Sequence, residues 1–438
     1  MMQGGAGNIF KIPDLRKKIL FTLLIVIVFR LGIHIPTPGI NPQAVANMFT
    51  QQLQGTIFSV YDLFSGGALS KGSIFALGVM PYISASIMFQ LLGSVFPRIQ
   101  KLQQDEEGKR KVAQYTRYLT VLLAVLNAIG IATMLGNMNP VNIGGRLIPI
   151  IIQGGIILKV ITIFTLTAGT IFLMWLGEMV TERGVGNGIS FIIFLGAIDR
   201  IPLDISRTLT QIKENPQVSW FVGVVLLAII IFTFAAMVSM TQAVRKIPVQ
   251  YPKRVVGRRI YGGQSTFIPL RLITAGVIPI IFAQSIILIP GTIANIAGNK
   301  GFLGNFHSGM PLYDLIFGLL IVFFAYFYTS IVFNPQDLAN NMKRMGGFIP
   351  GIRPGMKTAE YINTVLTRIT LPGAVFLAIV ALMPQWIMNG LNVKFFLGGT
   401  TYLIIVGVAL DTIQQIESHL LMRSYEGLLK GSKLRGRR

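Results

Sequence analysis

The sequence predicts an all-α membrane protein with ten transmembrane helices, arranged as two pseudo-symmetric inverted five-helix halves. Composition is the first reason: of 438 residues, 52% are hydrophobic and 12% are charged, whereas soluble proteins carry roughly 25% charged residues. The second is that apolar runs recur along the whole chain, and a helical run of roughly 20 residues crosses a bilayer. The third is that basic residues are concentrated in alternate connections between these runs.

Hydropathy sets the position of each span. The ten predicted spans are 19–35, 74–96, 115–135, 156–176, 187–201, 218–240, 272–294, 312–333, 369–390 and 395–413. The first is a retained span rather than a cleaved signal, because its apolar run leads into RLGIHIPTPG without a small-x-small cleavage site. The fifth is marginal in length, since Asp199 and Arg200 follow only ISFIIFLGAI.

The orientation follows from the 38 basic residues. On this map 29 of them, including those of both termini, lie on one side of the membrane and nine on the other. Lysine and arginine are enriched in cytoplasmic segments, so both termini are predicted in the cytoplasm. An even number of spans independently requires the termini to share a side.

Ten spans divide into five and five, and because five is odd, any structural repeat between the halves has to be inverted. The polar stretch DISRTLTQIKENPQ, 204–217, is the predicted external hinge connection. It separates an N-terminal half, 1–203, from a C-terminal half, 218–422, and a basic cytoplasmic tail follows at 423–438.

The sequence excludes several classes of active site. It contains no cysteine, which rules out disulfides, thiolate metal sites and cysteine nucleophiles. Its histidines, His34, His307 and His419, lie far apart, and no H-E-x-x-H, Walker A or G-x-S-x-G motif occurs. We therefore expect no catalytic residue, metal or cofactor, and no ability to hydrolyse nucleotide unaided.

The loop between the sixth and seventh spans, roughly 241–271, is cationic and lies in a stretch without acidic residues from Glu214 to Asp314. Its RRIYGGQSTFIPL motif alternates β-branched and aromatic residues around a glycine pair, as an extended hairpin does. Basic residues beside a span often only fix its orientation. A cationic hairpin standing off the membrane also suits RNA phosphates or an acidic protein surface, and for Arg258 and Arg259 we favour partner binding.

The loop between the eighth and ninth spans, 334–368, contains GGFIPGIRPG. This spacing of glycine and proline favours successive turns over a helix. Such turns would hold Arg353 in a fixed pose between Gly351 and Pro354. An isolated arginine is usually solvated, whereas one fixed in this way is a better candidate for a specific contact.

Seven stretches of the sequence resemble the SecY family, the central subunits of the bacterial protein-translocation channel and counterparts of the archaeal and endoplasmic-reticulum channel subunits. They are LFSGG, FALGVMPYISASI, GVGNGISFIIF, YPKRVVGRRIYGGQSTFIPLR, AGVIPIIFA, GGFIPGIRPG and LMRSYEGLLK. The resemblance implies a non-enzymatic channel subunit of the bacterial cytoplasmic (inner) membrane, whose two halves face each other across an hourglass pore. Such a channel translocates unfolded secretory polypeptides and releases hydrophobic segments laterally into the bilayer.

The resemblance further implies a ring of apolar side chains that narrows the pore at mid-membrane. The matching positions are Val79, Ile83, Ile189, Ile193, Ile278, Ile281 and Ile404. Spacings of four, four and three put each pair on one helical face, but without the family match such pairs would indicate lipid or core packing. A β-branched ring excludes water by dewetting and binds no passing side chain, which suits an unselective polypeptide pore.

The short apolar segment 55–67 does not reach across a bilayer and matches the family's plug, which lies under the ring on the external side. The plug residues are Ile57, Phe58, Tyr61, Asp62 and Phe64. Polar residues Ser59, Asp62 and Ser65 and the glycine-rich end suggest a loosely held segment. The alternative is an ordinary external re-entrant loop.

The family's lateral gate lies where the second and third spans separate from the seventh and eighth. The polar residues on those spans are Ser84, Ser86, Gln90, Asn127, Gln284 and Ser285. A polar contact between membrane helices contributes about 0.6 kcal/mol, so such a seam can open reversibly. Ordinary hydrogen bonding between helices explains any one of these residues equally well.

The resemblance also implies partners. The two basic loops would dock the ribosome, by contact with its rRNA, or the SecA motor ATPase. The matching contact residues are Arg254, Arg258, Arg259 and Arg353. Further partners are the SecE and SecG subunits, translocating polypeptides with their signal sequences, and membrane lipids. Because the sequence carries no energy-converting motif, the driving force would come from a docked partner.

Two other functional classes stay open. A secondary transporter also combines inverted repeats with broken helices, but it usually needs ionisable or carbonyl ligands at mid-membrane, whereas Glu178 and Asp411 lie near helix ends. An intramembrane protease needs two facing aspartates, a serine with histidine or lysine, or a metal site, and the sequence assembles none of these.

Overall fold

A computed structural model describes the chain over residues 12–52, 61–62, 64–137, 140–143, 146–151, 155–214, 220–251, 254–256, 259–261, 265–274, 276–284, 286–287, 310–391 and 399–431. It divides into two compact units. The first unit comprises 1–203 with 408–438, and the second comprises 204–407.

The first unit is built from helices. They are α1 (Pro13–Ile33), α2 (Pro42–Gln52), α3 (Met80–Val95), α4 (Pro97–Gln104), α5 (Glu106–Asn137), α6 (Ile156–Arg183) and the first part of α7 (Gly188–Glu214). A short antiparallel hairpin of β1 (Val141–Ile143) and β2 (Arg146–Ile148) lies between α5 and α6. Pro13 and Pro97 stand in the first turns of their helices, where a missing N–H removes no intrahelical bond.

The second unit adds β-structure to its helices. Its elements are α8 (Trp220–Gln242), β3 (Val244–Gln250), β4 (Arg254–Val256), β5 (Arg259–Tyr261), β6 (Ser265–Arg271), α9 (Pro311–Val332), α10 (Pro335–Arg344) and α11 (Met356–Leu391). Residues 278–284 are also helical. The last helix, α12 (Gly399–Gly431), begins in the second unit and ends in the first.

Among the described residues, five helices are long and apolar enough to cross a bilayer. They are α5, α6, α8, α9 and α11. The start of α7, Gly188–Asp199, is a shorter apolar helix. The prediction of an all-α membrane protein is confirmed, while the count of ten spans stays a prediction.

The second predicted span, 74–96, is helical only from Met80 onward. Residues 65–79 form successive turns instead. At Gly78, where φ is 56°, an added Cβ would lie 3.0 Å from the Cα of Ser65. Two segments of main chain therefore meet where a side chain does not fit. The apolar character of FALGV reflects burial of this segment rather than a helix.

The fifth predicted span, 187–201, is part of a longer helix. Helix α7 continues through Pro202 and ends at Glu214, so most of the stretch predicted as a polar connection is helical. The carboxylate of Asp199 forms an ion pair with Arg30 of α1. This pairing shows how a charge is accommodated within α7 and links two helices of the first unit.

Phe75 lies at the centre of an aromatic stack that joins α1, the turn segment 65–79 and α6. It is 2% exposed, and its ring centroid is 6.3 Å from that of Phe29 and 6.0 Å from that of Phe172. The carbonyl oxygen of Ile74 lies so close to Gly169 of α6 that a Cβ added at position 169 would clash with it. The segment before α3 is thus held firmly between two helices.

Candidate functional site

The four predicted pore-ring residues of the first unit lie at the start of α3 and on α7. Val79 precedes α3, and its carbonyl accepts the main-chain N–H of Ile83 at 3.1 Å, which places both residues on one helical face. Val79 is fully buried and Ile193 is 5% exposed, while Ile83 and Ile189 are half-buried. The Cδ1 of Ile189 lies against Gly177 of α6, so this side chain also packs within the unit.

Of the three predicted ring residues of the second unit, two are buried and one is half-buried. Ile278 is half-buried at the start of the helical residues 278–284. Ile281 is 7% exposed and Ile404 of α12 is 3% exposed, whereas Leu227 of α8 is 60% exposed. None of the seven residues is as exposed as Leu227. Burial is compatible with a ring or with packing, and the ring stays a prediction.

The plug residues Ile57 and Phe58 lie outside the described residues, whereas Tyr61, Asp62 and Phe64 are described. The Tyr61 hydroxyl interacts with the side chain of Asn127 on α5. Phe64 is 1% exposed. Two of the predicted plug residues are therefore held by specific contacts within the first unit.

The polarity of this segment does not indicate loose packing, contrary to the expectation from sequence. Asp62 is fully buried, and its Oδ1 accepts the main-chain N–H of Ser70 at 2.8 Å. Its carbonyl accepts the hydroxyl of Ser65 at 3.2 Å and the N–H of Gly67 at 2.8 Å. These polar groups fix local turns, a role that side-chain polarity alone does not reveal.

The predicted lateral-gate residues are dispersed. Ser84 is exposed, and the Nε2 of Gln90 donates to the Oγ of Ser86 at 3.3 Å along the same helix. Asn127 interacts with Tyr61 of the predicted plug, and Ser285 lies outside the described residues. The Oε1 of Gln284 is buried without a hydrogen-bond partner among the residues described. The gate assignment stays a prediction.

The predicted extended hairpin between the sixth and seventh spans is confirmed, with a different arrangement of strands. We call β3 to β6, 244–271, the hairpin loop. Strand β3 pairs antiparallel with β6, and β4 pairs with β5 between them. Arg254 lies opposite Tyr261, and Arg259 lies opposite Val256. Arg258 falls outside the described residues. The glycine pair thus follows β5 in the sequence rather than standing between the paired strands β4 and β5.

The hairpin loop is joined by main-chain hydrogen bonds to residues 346–355, which we call the arginine loop. The N–H of Gln250 donates to the carbonyl of Phe348 at 2.9 Å, and the N–H of Phe348 donates to the carbonyl of Gln250 at 3.0 Å. An added Cβ at Gly347 would lie 2.8 Å from the Tyr251 ring. Sequence reasoning treated the two loops separately and missed this junction.

A shared hydrophobic core lies beneath the junction. Its buried residues are Ile247, Val249, Leu270, Met342, Ile349 and Ile362. Burial alternates along β3 because successive strand residues point to opposite faces. The opposite face of this sheet carries Lys246, whose ammonium lies 4.8 Å from the Phe267 ring centroid. The alternation of Ile247 and Val249 with Lys246 and Pro248 was the available sequence signal.

Arg353 is exposed within turns, as predicted. Gly351 has a φ of 81° and Gly355 a φ of 108°, both in the left-handed region that favours glycine. The carbonyl of Arg353 accepts the hydroxyl of Thr358 at 2.9 Å. Thr358 is 2% exposed and was not singled out from sequence.

The acidic residue Glu178, which bears on the transporter alternative, is paired. The Nε of Arg117 on α5 donates to its Oε1 at 2.7 Å. Within the part of the chain that the structure describes, no group of three histidine, aspartate or glutamate residues is placed to hold a metal ion.

Comparison with protein families decides the identity of the fold. The SecY family model matches residues 73–413. The chain belongs to the SecY family. Protein translocase subunit SecY of Thermotoga maritima is 44% identical, over 98% of this chain and 99% of the relative. That of Escherichia coli K12 is 43% identical, over 99% of this chain and 97% of the relative.

Solved structures agree with the SecY assignment at the level of the fold. One described as "The structure of a protein conducting channel" has a TM-score of 0.65 at 16% identity, covering 98% of this chain and 99% of that chain. "Sec61 in the Canine ribosome-channel complex from the endoplasmic reticulum" has a TM-score of 0.58 at 15% identity, with the same coverage. The SecY-type channel architecture predicted by resemblance is confirmed.

Proposed function

We propose that this chain is the channel subunit through which unfolded secretory polypeptides cross the bacterial cytoplasmic membrane, and from which hydrophobic segments move sideways into the bilayer. The observation that carries the proposal is the 44% identity to a translocase subunit over nearly the whole of both chains. The chain acts as a conduit and not as an enzyme. Its termini lie in the cytoplasm, as the distribution of basic residues indicates.

The proposed seal is the apolar ring formed by Val79, Ile83, Ile189, Ile193, Ile278, Ile281 and Ile404. Side chains without charge or hydrogen-bonding groups exclude water and ions from a narrow constriction by dewetting. They also offer no specific site at which a passing side chain would be retained. The burial of Val79, Ile193, Ile281 and Ile404 is compatible with this role.

The segment around 55–67 is proposed as the plug that completes the seal on the external side. The interaction between Tyr61 and Asn127 and the burial of Phe64 support a resting position against the first unit. Asn127 is also one of the proposed gate residues. Movement of the third span at the lateral gate would therefore disturb the plug, which couples the two openings.

The hairpin loop and the arginine loop are proposed as the cytoplasmic platform that docks the ribosome or SecA, with SecE and SecG as the accompanying subunits. Their junction and common core support presentation of both loops as a single surface. A cationic surface attracts an acidic partner and accelerates its association. The partner would supply the driving force.

Site-specific photo-cross-linking tests the proposal. A photoactivatable amino acid at Ile83 or Ile281 should cross-link to a secretory polypeptide arrested in transit. At Phe164, which is 73% exposed, or Leu227, which is 60% exposed, it should react with lipid instead. Equal cross-linking of the polypeptide from all four positions would remove the ring assignment.

A further inference from the structure

Thr358 makes a contact that the proposed function does not yet use. It lies in the first turn of α11, and its hydroxyl donates to the carbonyl of Arg353 at 2.9 Å. Thr358 is 2% exposed whereas Arg353 is exposed, so the bond between them is partly buried. Removing the hydroxyl would take away this hydrogen-bond partner of the Arg353 carbonyl. The carbonyl of Arg353 is therefore sensitive to the hydroxyl at position 358.

The main chain between these two residues is unusually constrained. The ring of Pro354 restricts its own φ, and Gly355 adopts a φ of 108°, which side chains rarely permit. The Thr358 hydroxyl closes this turn from the side of α11, and the N–H of Ala359 also donates to the carbonyl of Gly355 at 3.1 Å. The turn that carries Arg353 is thus tied to the first turn of α11.

The other end of the arginine loop is also anchored. Phe348 is bridged to Gln250 by two main-chain hydrogen bonds. Ile349 is 3% exposed and Ile352 packs against the same core. Arg353 therefore projects from a segment held on both sides. A charged group held in advance loses less conformational entropy when a partner binds it.

Charge around the turn indicates what Arg353 is free to bind. Its side chain is exposed and forms no ion pair among the residues described here. The neighbouring Lys357 is engaged, since its ammonium donates to the carboxylate of Glu360 at 2.9 Å. The planar guanidinium of arginine matches a carboxylate or phosphate in a two-point contact, which depends on orientation. The fixed main chain sets the direction in which the Arg353 side chain leaves the turn.

We propose that Thr358 is a positioning residue for partner docking: its hydroxyl fixes the main chain of Arg353 so that the guanidinium meets an acidic group on the docked partner. The proposal rests on the docking role of the arginine loop. A role confined to stabilising α11 is the competing explanation. The two differ in whether the effect of Thr358 passes through Arg353.

The chain offers a matched control in the same helix. Thr370 is 4% exposed, and its hydroxyl donates to the carbonyl of Leu366 at 2.8 Å, far along α11 from Arg353. Thr358→Val and Thr370→Val each remove one buried hydroxyl at nearly constant side-chain volume. Thr358→Ser restores the hydroxyl and is the conservative rescue.

The measurement is the dissociation constant of SecA for the full chain, assembled with SecE and SecG in lipid nanodiscs, over a series of salt concentrations. We expect Thr358→Val to weaken binding by up to about fivefold, because the partner would then have to order a turn that one hydrogen bond had held. Thr358→Ser and Thr370→Val should stay within about twofold of the parent on the same scale. Thr358→Val should also flatten the salt dependence, because a misplaced arginine contributes less to electrostatic attraction.

Repeating the measurement in an Arg353→Gln variant distinguishes an effect that passes through Arg353 from a role in stabilising α11. There, Thr358→Val should add little, because residues acting through one contact are not additive. Equal weakening by Thr358→Val and Thr370→Val, or full additivity with Arg353→Gln, would overturn the proposal. So would parental affinity of Thr358→Val while Arg353→Gln binds weakly. If Arg353→Gln itself binds normally, the docking role is wrong. If Thr358→Val does not accumulate, Thr358→Ala is used in its place, because it also removes the hydroxyl.

Discussion

Gln250 of the hairpin loop and Phe348 of the arginine loop exchange two main-chain hydrogen bonds, at 2.9 and 3.0 Å. This bridge lies over a core to which both loops contribute. Two loops from different connections between spans therefore present their basic residues from one framework. In a SecY-family channel this is the surface that we propose for partner docking.

A disulfide across the bridge should form and leave the channel active. Residues paired by two hydrogen bonds in antiparallel strands have Cα atoms about 5.5 Å apart, within the roughly 4.4–6.8 Å of disulfides. The chain contains no cysteine, so the Gln250→Cys/Phe348→Cys variant has a single possible intramolecular bond. Oxidised protein should keep SecA-driven translocation within about twofold of its reduced form, because a bond that fits the native geometry adds little strain.

The bond is checked by electrophoretic mobility without reductant, and each single-cysteine variant serves as a control. A loss of translocation on oxidation that reductant restores would show that the two loops have to separate during function.

Arg353→Glu should reduce SecA-driven translocation by about tenfold or more, since it replaces attraction to an acidic surface with repulsion. Arg353→Lys should be intermediate, because an ammonium keeps the charge but not the two-point geometry. The measurement is the initial rate of precursor import into proteoliposomes. Unchanged import by Arg353→Glu would remove the assignment of the arginine loop.

Tyr61→Phe should increase ion leakage through the resting channel. The substitution keeps the ring but removes the hydroxyl that interacts with Asn127. Loss of about 1 kcal/mol would raise the population of a displaced plug about fivefold. Conductance of the idle complex in planar bilayers measures the leak. Asn127→Leu should have a similar effect. If the leak of the double variant rises by the product of the two single-variant factors, the residues act independently, which would argue against a direct contact.

Phe75→Ala should destabilise the first unit by about 3–5 kcal/mol, the usual cost of removing a buried phenylalanine side chain. Phe75 is 2% exposed between Phe29 and Phe172. Phe164→Ala, at a position 73% exposed on α6, is the control and should change stability far less. Thermal unfolding in mild detergent compares the two. Similar losses from both variants would contradict the packing described here.

Asp199→Ala should destabilise the protein by about 1 kcal/mol, because it leaves Arg30 without its partner in a partly exposed pair. Arg30→Ala/Asp199→Ala should recover part of that loss, since no unpaired charge remains. Unfolding curves of the two single variants and the double variant give the coupling between the residues. Strict additivity would show that the pair contributes nothing.

Spans with uniform hydropathy were predictable from sequence. The predicted span 312–333 corresponds to α9, Pro311–Val332, because an apolar run closed by Asn334 and Pro335 has one obvious boundary at each end. The turn segment before Met80 was not predictable in this way. Hydropathy reports burial, and both a membrane helix and a buried irregular segment are apolar.

The parts of the candidate site that depend on neighbouring residues in the sequence were predictable. Glycine and proline around Arg353 indicated turns, and the glycines at 351 and 355 adopt positive φ. The junction between Gln250 and Phe348 is formed by main-chain groups, which every residue carries. The identity of the side chains therefore does not predict it. Likewise, the carboxylate of Asp62 bonds to a main-chain N–H, whereas its polarity suggested a loosely held segment rather than a buried turn.

Reconstitution tests the central claim most directly. The chain is assembled with SecE and SecG in proteoliposomes, supplied with SecA, ATP and an unfolded secretory precursor, and then treated with external protease. The account predicts full-length precursor protected inside the vesicles, in an amount that depends on ATP. Precursor that stays fully accessible to protease, together with saturable, ion-coupled uptake of a single small solute, would contradict the account and establish a transporter instead.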